Sequence, residues 1–174
     1  MDLVITFAKN LSLLLFVAVL LMVYYSVPEE ISLVFDEIQQ PVQGISREQL
    51  FYIAAFFVIA FNMLLVIFVR LMSNVPWQYF KIPHHDFWMK DKESREKFFF
   101  VLQSWAYSFI AAVNIFACFV LYRVYDININ LQRSDSMWGT VALGLLIFIG
   151  WLAFIFVRFG IRKWSIFDGE SVLE

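Results

Sequence analysis

Polar residues are confined to short intervals along this chain. Between them lie four predominantly apolar runs, about 3–25, 51–71, 98–122 and 138–158, with Lys9 and Asn10 near the start of the first. An amphipathic helix of a water-soluble domain keeps a polar stripe. A run of about 20 residues without one is long enough to cross the roughly 30 Å hydrocarbon layer as a helix. The pattern therefore predicts an all-α integral membrane bundle of four transmembrane helices in a single domain, 1–174. The intervals are short, so consecutive spans pack antiparallel. The end of the first run reads LLMVYYSVP. It offers bulky residues where a leader peptidase needs small ones, so the run reads as a retained span.

The distribution of Lys and Arg sets the expected direction. With the N-terminus inside, ten of them fall on the cytoplasmic side: Lys9, Arg70, Lys81, Lys90, Lys92, Arg95, Lys97, Arg158, Arg162 and Lys163. Only Arg47, Arg123 and Arg133 fall outside. Both termini are expected in the cytoplasm, with the protein a multi-pass membrane chain.

Composition agrees with the pattern: 61% of residues are hydrophobic, 21 are Phe and 16% are charged, against about a quarter charged in soluble domains. A net charge of −2 gives no footprint for nucleic acid. Cys118 is the single cysteine, which leaves no intrachain disulfide, and it reads as packing. The apolar stretches 51–69, 98–122 and 138–157 contain no charge and no His, which argues against a proton relay or a haem held between helices. No cofactor or metal is expected.

Three polar regions remain as candidate sites. Inside the spans lie Asn62, Gln103 and Asn114, with Ser104, Ser108 and Ala112 as a stripe of small residues suited to close helix packing. Asn62 is about nine residues and Asn114 about sixteen from the cytoplasmic ends of their spans, a depth difference of roughly 10 Å. This spacing predicts that Asn62 bonds to Gln103 rather than to Asn114. The first outer loop carries Glu29, Glu30, Phe35, Asp36 and Glu37 around Pro28, Pro41 and Gly44. It reads as a solvated acidic loop that could attract a cationic ligand. The second interval, KIPHHDFWMKDKESREK, follows Trp77 and holds Pro83, His84, His85, Asp86, Phe87 and Trp88. The two His are adjacent, and metal ligands on one helix face stand three or four residues apart. The aromatic residues instead suit the headgroup level. The segment reads as an interfacial connector that holds spans two and three in register. Asp91–Arg95 and Glu93–Lys97 are spaced for pairs in the first turns of a helix.

Two of these loops resemble those of the bacterial Sdp-type (SdpI-like) toxin-immunity membrane proteins, over about residues 1–125. In the first loop Pro28, Ile31, Phe35 and Asp36 match in register, followed by Pro41, Ser46 and Arg47. In the second, Ile82, Pro83, Asp86, Phe87 and Trp88 match, with Glu93 and Arg95 near the family's charged cluster. Val34 stands where that family has His, Gln39 where it has Gly, Lys81 where it has Asn, and His84-His85 where it has Asn-Lys. The resemblance implies a small integral protein of the bacterial cytoplasmic (inner) membrane with an immunity or sensing role and a peptide or protein partner beside membrane lipid. The lack of intramembrane charges and of a plausible catalytic set favours a non-enzymatic binding or membrane-assembly role. The other reading kept open is a small lipid- or peptide-handling transporter or membrane enzyme.

Overall fold

The computed structural model describes residues 3–35, 41–129 and 137–160. Four long helices carry the apolar runs: α1 (Leu3–Ser26), α2 (Arg47–Met72), α4 (Lys92–Ile129) and α5 (Met137–Gly160). Each is long and apolar enough to cross a membrane. Between α1 and α2 stands a hairpin of β1 (Glu30–Phe35) and β2 (Pro41–Ser46); between α2 and α4 lie a single 3-10 turn (Trp77–Tyr79) and the one-turn α3 (His85–Trp88). The all-α bundle is as expected. The hairpin is not, since the interval was read as an irregular acidic loop.

The helices begin and end where local hydrogen bonding dictates rather than where apolarity stops. Ser46 Oγ accepts from the Gln49 backbone N–H at 3.1 Å, while Gln49 Oε1 accepts from the Ser46 N–H at 3.0 Å. This reciprocal capping box starts α2 four residues ahead of the apolar run. At α4, Asp91 Oδ1 accepts from the Ser94 N–H at 2.7 Å. With that cap the charged segment from Lys92 forms the first turns of the helix, as expected, and α4 runs for 38 residues, past the expected end of its apolar run at 122 to Ile129. Lys97 pairs with Glu93 at 3.1 Å as expected. Arg95 does not reach the Asp91 carboxylate as a pair: its Nε donates to the Asp91 carbonyl at 3.2 Å, because the carboxylate is spent on the cap.

The long α4 is the spine: α1, α2, α5, β1 and α3 all pack against it. Two apolar cores result. The first joins α1, α2, α4 and the hairpin through Phe16, Leu20, Val58, Leu121 and Val124, with Ile31 of β1 fully enclosed. Cys118 belongs to it, as packing. The second lies at the other end, where Trp88 and Met89 of the connector meet Phe98 and Leu102 of α4 and Ile155 and Phe159 of α5. Most side chains of α2 and α5 otherwise point outward, Phe56 and Phe156 among them. With hydrocarbon as solvent that arrangement costs nothing.

Asn114 Nδ2 donates to Ser12 Oγ at 3.1 Å, which fixes the parallel helices α1 and α4 in height. Nine residues below that pair, Leu3 is level with Trp105. The dozen or so residues at the start of α4 therefore run below the level of Leu3, by about 20 Å at 1.5 Å per residue. A hydrocarbon layer of about 30 Å takes up about 20 residues, from roughly residues 3 to 23 on α1 and 104 to 124 on α4. The second core then sits beneath it, at the interface.

Candidate functional site

The intramembrane polar residues meet at mid-bundle, but not in the predicted pairing. Asn62 Nδ2 donates to Asn114 Oδ1 at 2.8 Å and to the Val58 carbonyl at 2.8 Å. Asn114 is fully buried and donates to Ser12, whose Oγ donates to the Lys9 carbonyl at 2.8 Å. Gln103 turns elsewhere, its Nε2 donating to Tyr107 Oη at 3.1 Å. The expectation that Asn62 would bond Gln103 is therefore wrong. It measured depth from Phe98, which belongs to the interfacial core. Measured from Ser104, Asn114 is ten residues deep, as Asn62 is from Met72, so both lie about 15 Å in. The bonded set ties α1, α2 and α4 together. Ser108 Oγ donates to the Ser104 carbonyl at 2.8 Å, so this hydroxyl is also internally satisfied.

Just above this network, towards the hairpin, an apolar groove of about 530 Å³ opens between α2 and α5 against α4. From α2 it takes Leu50, Ala54, Phe57 and Phe61; from α4, Phe109, Ala112, Phe116 and Val120; from α5, Val141, Gly144 and Phe148. Its lining is apolar side chains and one glycine. Ala112, read as a packing residue, instead lines this opening. Phe61, Phe109 and Phe148 close its lower end, with Phe61 edge-on to Phe109 at 5.6 Å. A methyl group built on Gly144 would overlap the Phe116 ring, so the absent side chain is what admits that ring beside α5. Periodicity does not reveal the groove. Its trace in the sequence is the set of small residues Ala54, Ala112, Ala117 and Gly144 among bulky ones.

The hairpin stands over the same end. Asn128 on α4 clasps β1: its Oδ1 accepts from the Ser32 N–H at 2.9 Å and its Nδ2 donates to the Ser32 carbonyl at 3.2 Å. One amide thus occupies part of the strand edge that would otherwise be open to pairing. Arg47 sits over the Tyr24 ring at 5.3 Å and pairs loosely with Glu29 at 3.9 Å, and its N–H donates to the Glu29 carbonyl at 3.0 Å. Glu29 and Glu30 are exposed here; Phe35 ends β1 opposite Pro41. Asp36 and Glu37 lie outside the described residues.

The connector closes the opposite end. Pro83 leads into His84, the one non-glycine residue at positive φ among those described (φ 55°), and α3 follows. His84 Nε2–H donates to the Gly160 carbonyl at 3.2 Å, and Trp88 Nε1–H reaches the Phe159 carbonyl at 3.5 Å. These are carbonyls at the C-terminal end of α5, which lack partners within the helix. The connector was expected to hold spans two and three in register; the structure adds α5 to its attachments. Trp88 is buried against Phe98 and Phe159, and Phe87 lies edge-on to it at 5.3 Å. Trp77 falls on the 3-10 turn. His85 Nδ1 approaches Asp86 at 3.4 Å, and among the described residues no three His, Cys, Asp or Glu side chains converge.

The Asp91 carboxyl is held below its usual range, chiefly by the hydrogen bonds from Ser94. A depressed folded-state pKa gives stability that is complete above the unfolded value and lost as pH falls through the folded one. Acidification from neutral should therefore fray the start of α4 only below the ordinary carboxylate range. Asp91→Asn, which keeps an acceptor but not the charge, should remove that pH dependence, as read by amide exchange at Ser94 and Arg95.

The chain matches no protein-family model, no curated protein and no solved structure.

Proposed function

We propose that this chain is a non-enzymatic, multi-pass binding protein of the bacterial cytoplasmic membrane, with an immunity, sensing or assembly role of the Sdp type. It takes the apolar face of a membrane-inserted cationic peptide into the groove between α2 and α5. The observation that carries this reading is the pairing of a ligand-sized apolar groove with an acidic hairpin clasped over the same end. A volume of about 530 Å³ lies within the 300–1,000 Å³ typical of binding pockets. The polar groups of the bundle interior favour binding over turnover, because Ser12, Asn62 and Asn114 are spent on one another. An amphipathic cationic peptide matches both parts: apolar residues for the groove, and Lys or Arg for Glu29, Glu30, Asp36 and Glu37.

The test uses the purified protein in neutral-lipid vesicles with a synthetic Lys/Leu amphipathic helix as probe. Ala112→Leu, at a small lining position, narrows the groove and should weaken binding about tenfold, equivalent to about 1.4 kcal/mol. Neutralising Glu29, Glu30, Asp36 and Glu37 together should flatten its salt dependence. Wild-type affinity and salt dependence in both variants would refute the reading.

A further inference from the structure

We infer that the outer edge of β2, centred on Gly44, pairs with a short extended segment of the bound peptide in which basic and apolar residues alternate. The inference rests on the reading of the groove as a peptide site, and adds where the part of the peptide outside the hydrocarbon goes. The ladder sets Glu30 opposite Ser46, Ile31 opposite Ile45 and Ser32 opposite Gly44. Ser32 commits both its N–H and its carbonyl to Asn128, so both point away from β2. In an antiparallel ladder, opposed residues either exchange both bonds or turn both groups away from each other. Gly44 therefore turns its own N–H and carbonyl outward, to the far edge of β2. Gly44 is exposed, and among the described residues no backbone bond from beyond the ladder reaches it. Further along the strand, the Ser46 N–H is taken by Gln49. The edge of β1 is thus closed by Asn128, and the edge of β2 is open at Gly44.

The two faces of the hairpin specify the occupant. Ile31 is enclosed and Ile45 packs against the same core. Alternation along the strands puts Glu30, Ser32, Gly44 and Ser46 on the opposite, outward face. A residue paired with Gly44 carries its side chain on that outward face, and its two neighbours carry theirs on the Ile45 face. Glu29, Glu30 and Glu48 are exposed at this end of the hairpin. Against them stands Arg47, which lies over the Tyr24 ring and pairs with Glu29. The complement is Lys or Arg on the outward face and apolar residues on the other, joined to the edge by main-chain bonds. A second copy of β2 would bring the same carboxylates and meet repulsion. The contact is short, because Pro41 has no N–H and the ladder is irregular beyond Ser32. One basic residue of the segment exchanges both main-chain bonds with Gly44.

The experiment uses the protein in neutral-lipid vesicles and, as probe, the Lys/Leu helix followed by a Lys-Val-Lys-Val-Lys tail. Bound probe should slow amide exchange at Gly44 about tenfold. Gly44→Pro removes the outward N–H and leaves the bonds between β1 and β2 in place. It should weaken binding about fivefold without changing the salt dependence. Gly44→Ala keeps the N–H and should bind as wild type does. Should Gly44→Pro disturb the hairpin, the probe itself decides. N-methylation of the tail's Lys residues should weaken binding about fivefold, and N-methylation of its Val residues should not. Unchanged exchange at Gly44 with probe bound, or an equal effect of the two N-methylated probes, overturns the edge. Protection of Gly44 that appears without probe and grows with protein concentration means pairing with a second copy, and also overturns it. The groove is read separately. A silent Ala112→Leu with Gly44 protected refutes the groove and supports the edge, whereas weakened binding in Ala112→Leu with Gly44 unprotected does the reverse.

Discussion

Trp88→Ala is expected to lower stability by about 3–5 kcal/mol, the range for removing a buried large aromatic side chain. Trp88 fills the centre of the interfacial core, with ring contacts to Phe87, Phe98 and Phe159 at 5.3, 6.2 and 5.6 Å. It also offers its indole N–H to α5. Its loss unpins the connector from α4 and α5 together. By contrast, His84→Asn with His85→Asn should cost less than about 1 kcal/mol. Asn tolerates the left-handed backbone that His84 adopts. The cap on the Gly160 carbonyl is an exposed hydrogen bond of modest net value. Reversible unfolding in mixed micelles would read both. A silent Trp88→Ala beside a severe double-His variant would mean that the connector acts through its histidines, not through packing.

Asn114→Leu should destabilise by about 2 kcal/mol, because it leaves the acceptor side of Ser12 Oγ and one side of Asn62 unpaired where water cannot replace the lost partner. Asn62 keeps its bond to the Val58 carbonyl, which limits the damage. Asn62→Leu combined with Asn114→Leu should cost less than the sum of the single changes, since the second substitution removes the group that the first left unpaired. Interhelical hydrogen bonds in membranes contribute about 0.6 kcal/mol on average, up to about 1.7, so the coupling from this cycle should fall in that range. Strict additivity would show that Asn62 and Asn114 do not bond in the folded bundle. Neither Asn62 nor Asn114 itself lines the groove, so peptide binding should survive in whatever fraction stays folded.

How much was legible follows from what each property depends on. The four spans could be read because a residue's transfer into hydrocarbon depends little on its neighbours, and 20 apolar residues in a row leave one low-energy outcome. The connector was legible for a similar reason, since Trp, Tyr and Pro at a span end answer a local demand at the interface. The start of α2 was also written in the sequence, as Ser46-x-x-Gln49, although apolarity alone placed it four residues late. The hairpin's strands are six residues each and carry no clear alternation. What fixes β1 is Asn128, 96 positions away from Ser32.

The sequence by itself determined that this chain has four helices long and apolar enough to cross a membrane, and which stretches form them. Those follow from the solvation of each residue in turn. Only the tertiary structure decided the heights of the helices relative to one another, and every site depends on those heights. Asn62 meets Asn114 because Phe98 belongs to the interfacial core and not to the hydrocarbon layer. Lys9 faces Tyr107 because the Asn114–Ser12 bond sets α1 at that height on α4. The groove exists because Gly144 lets Phe116 lie beside α5 while α2 and α5 stay apart above Phe61 and Phe148. Relative height is set by which distant side chains interlock, and lipid, being as apolar as the helices, supplies no local signal for it.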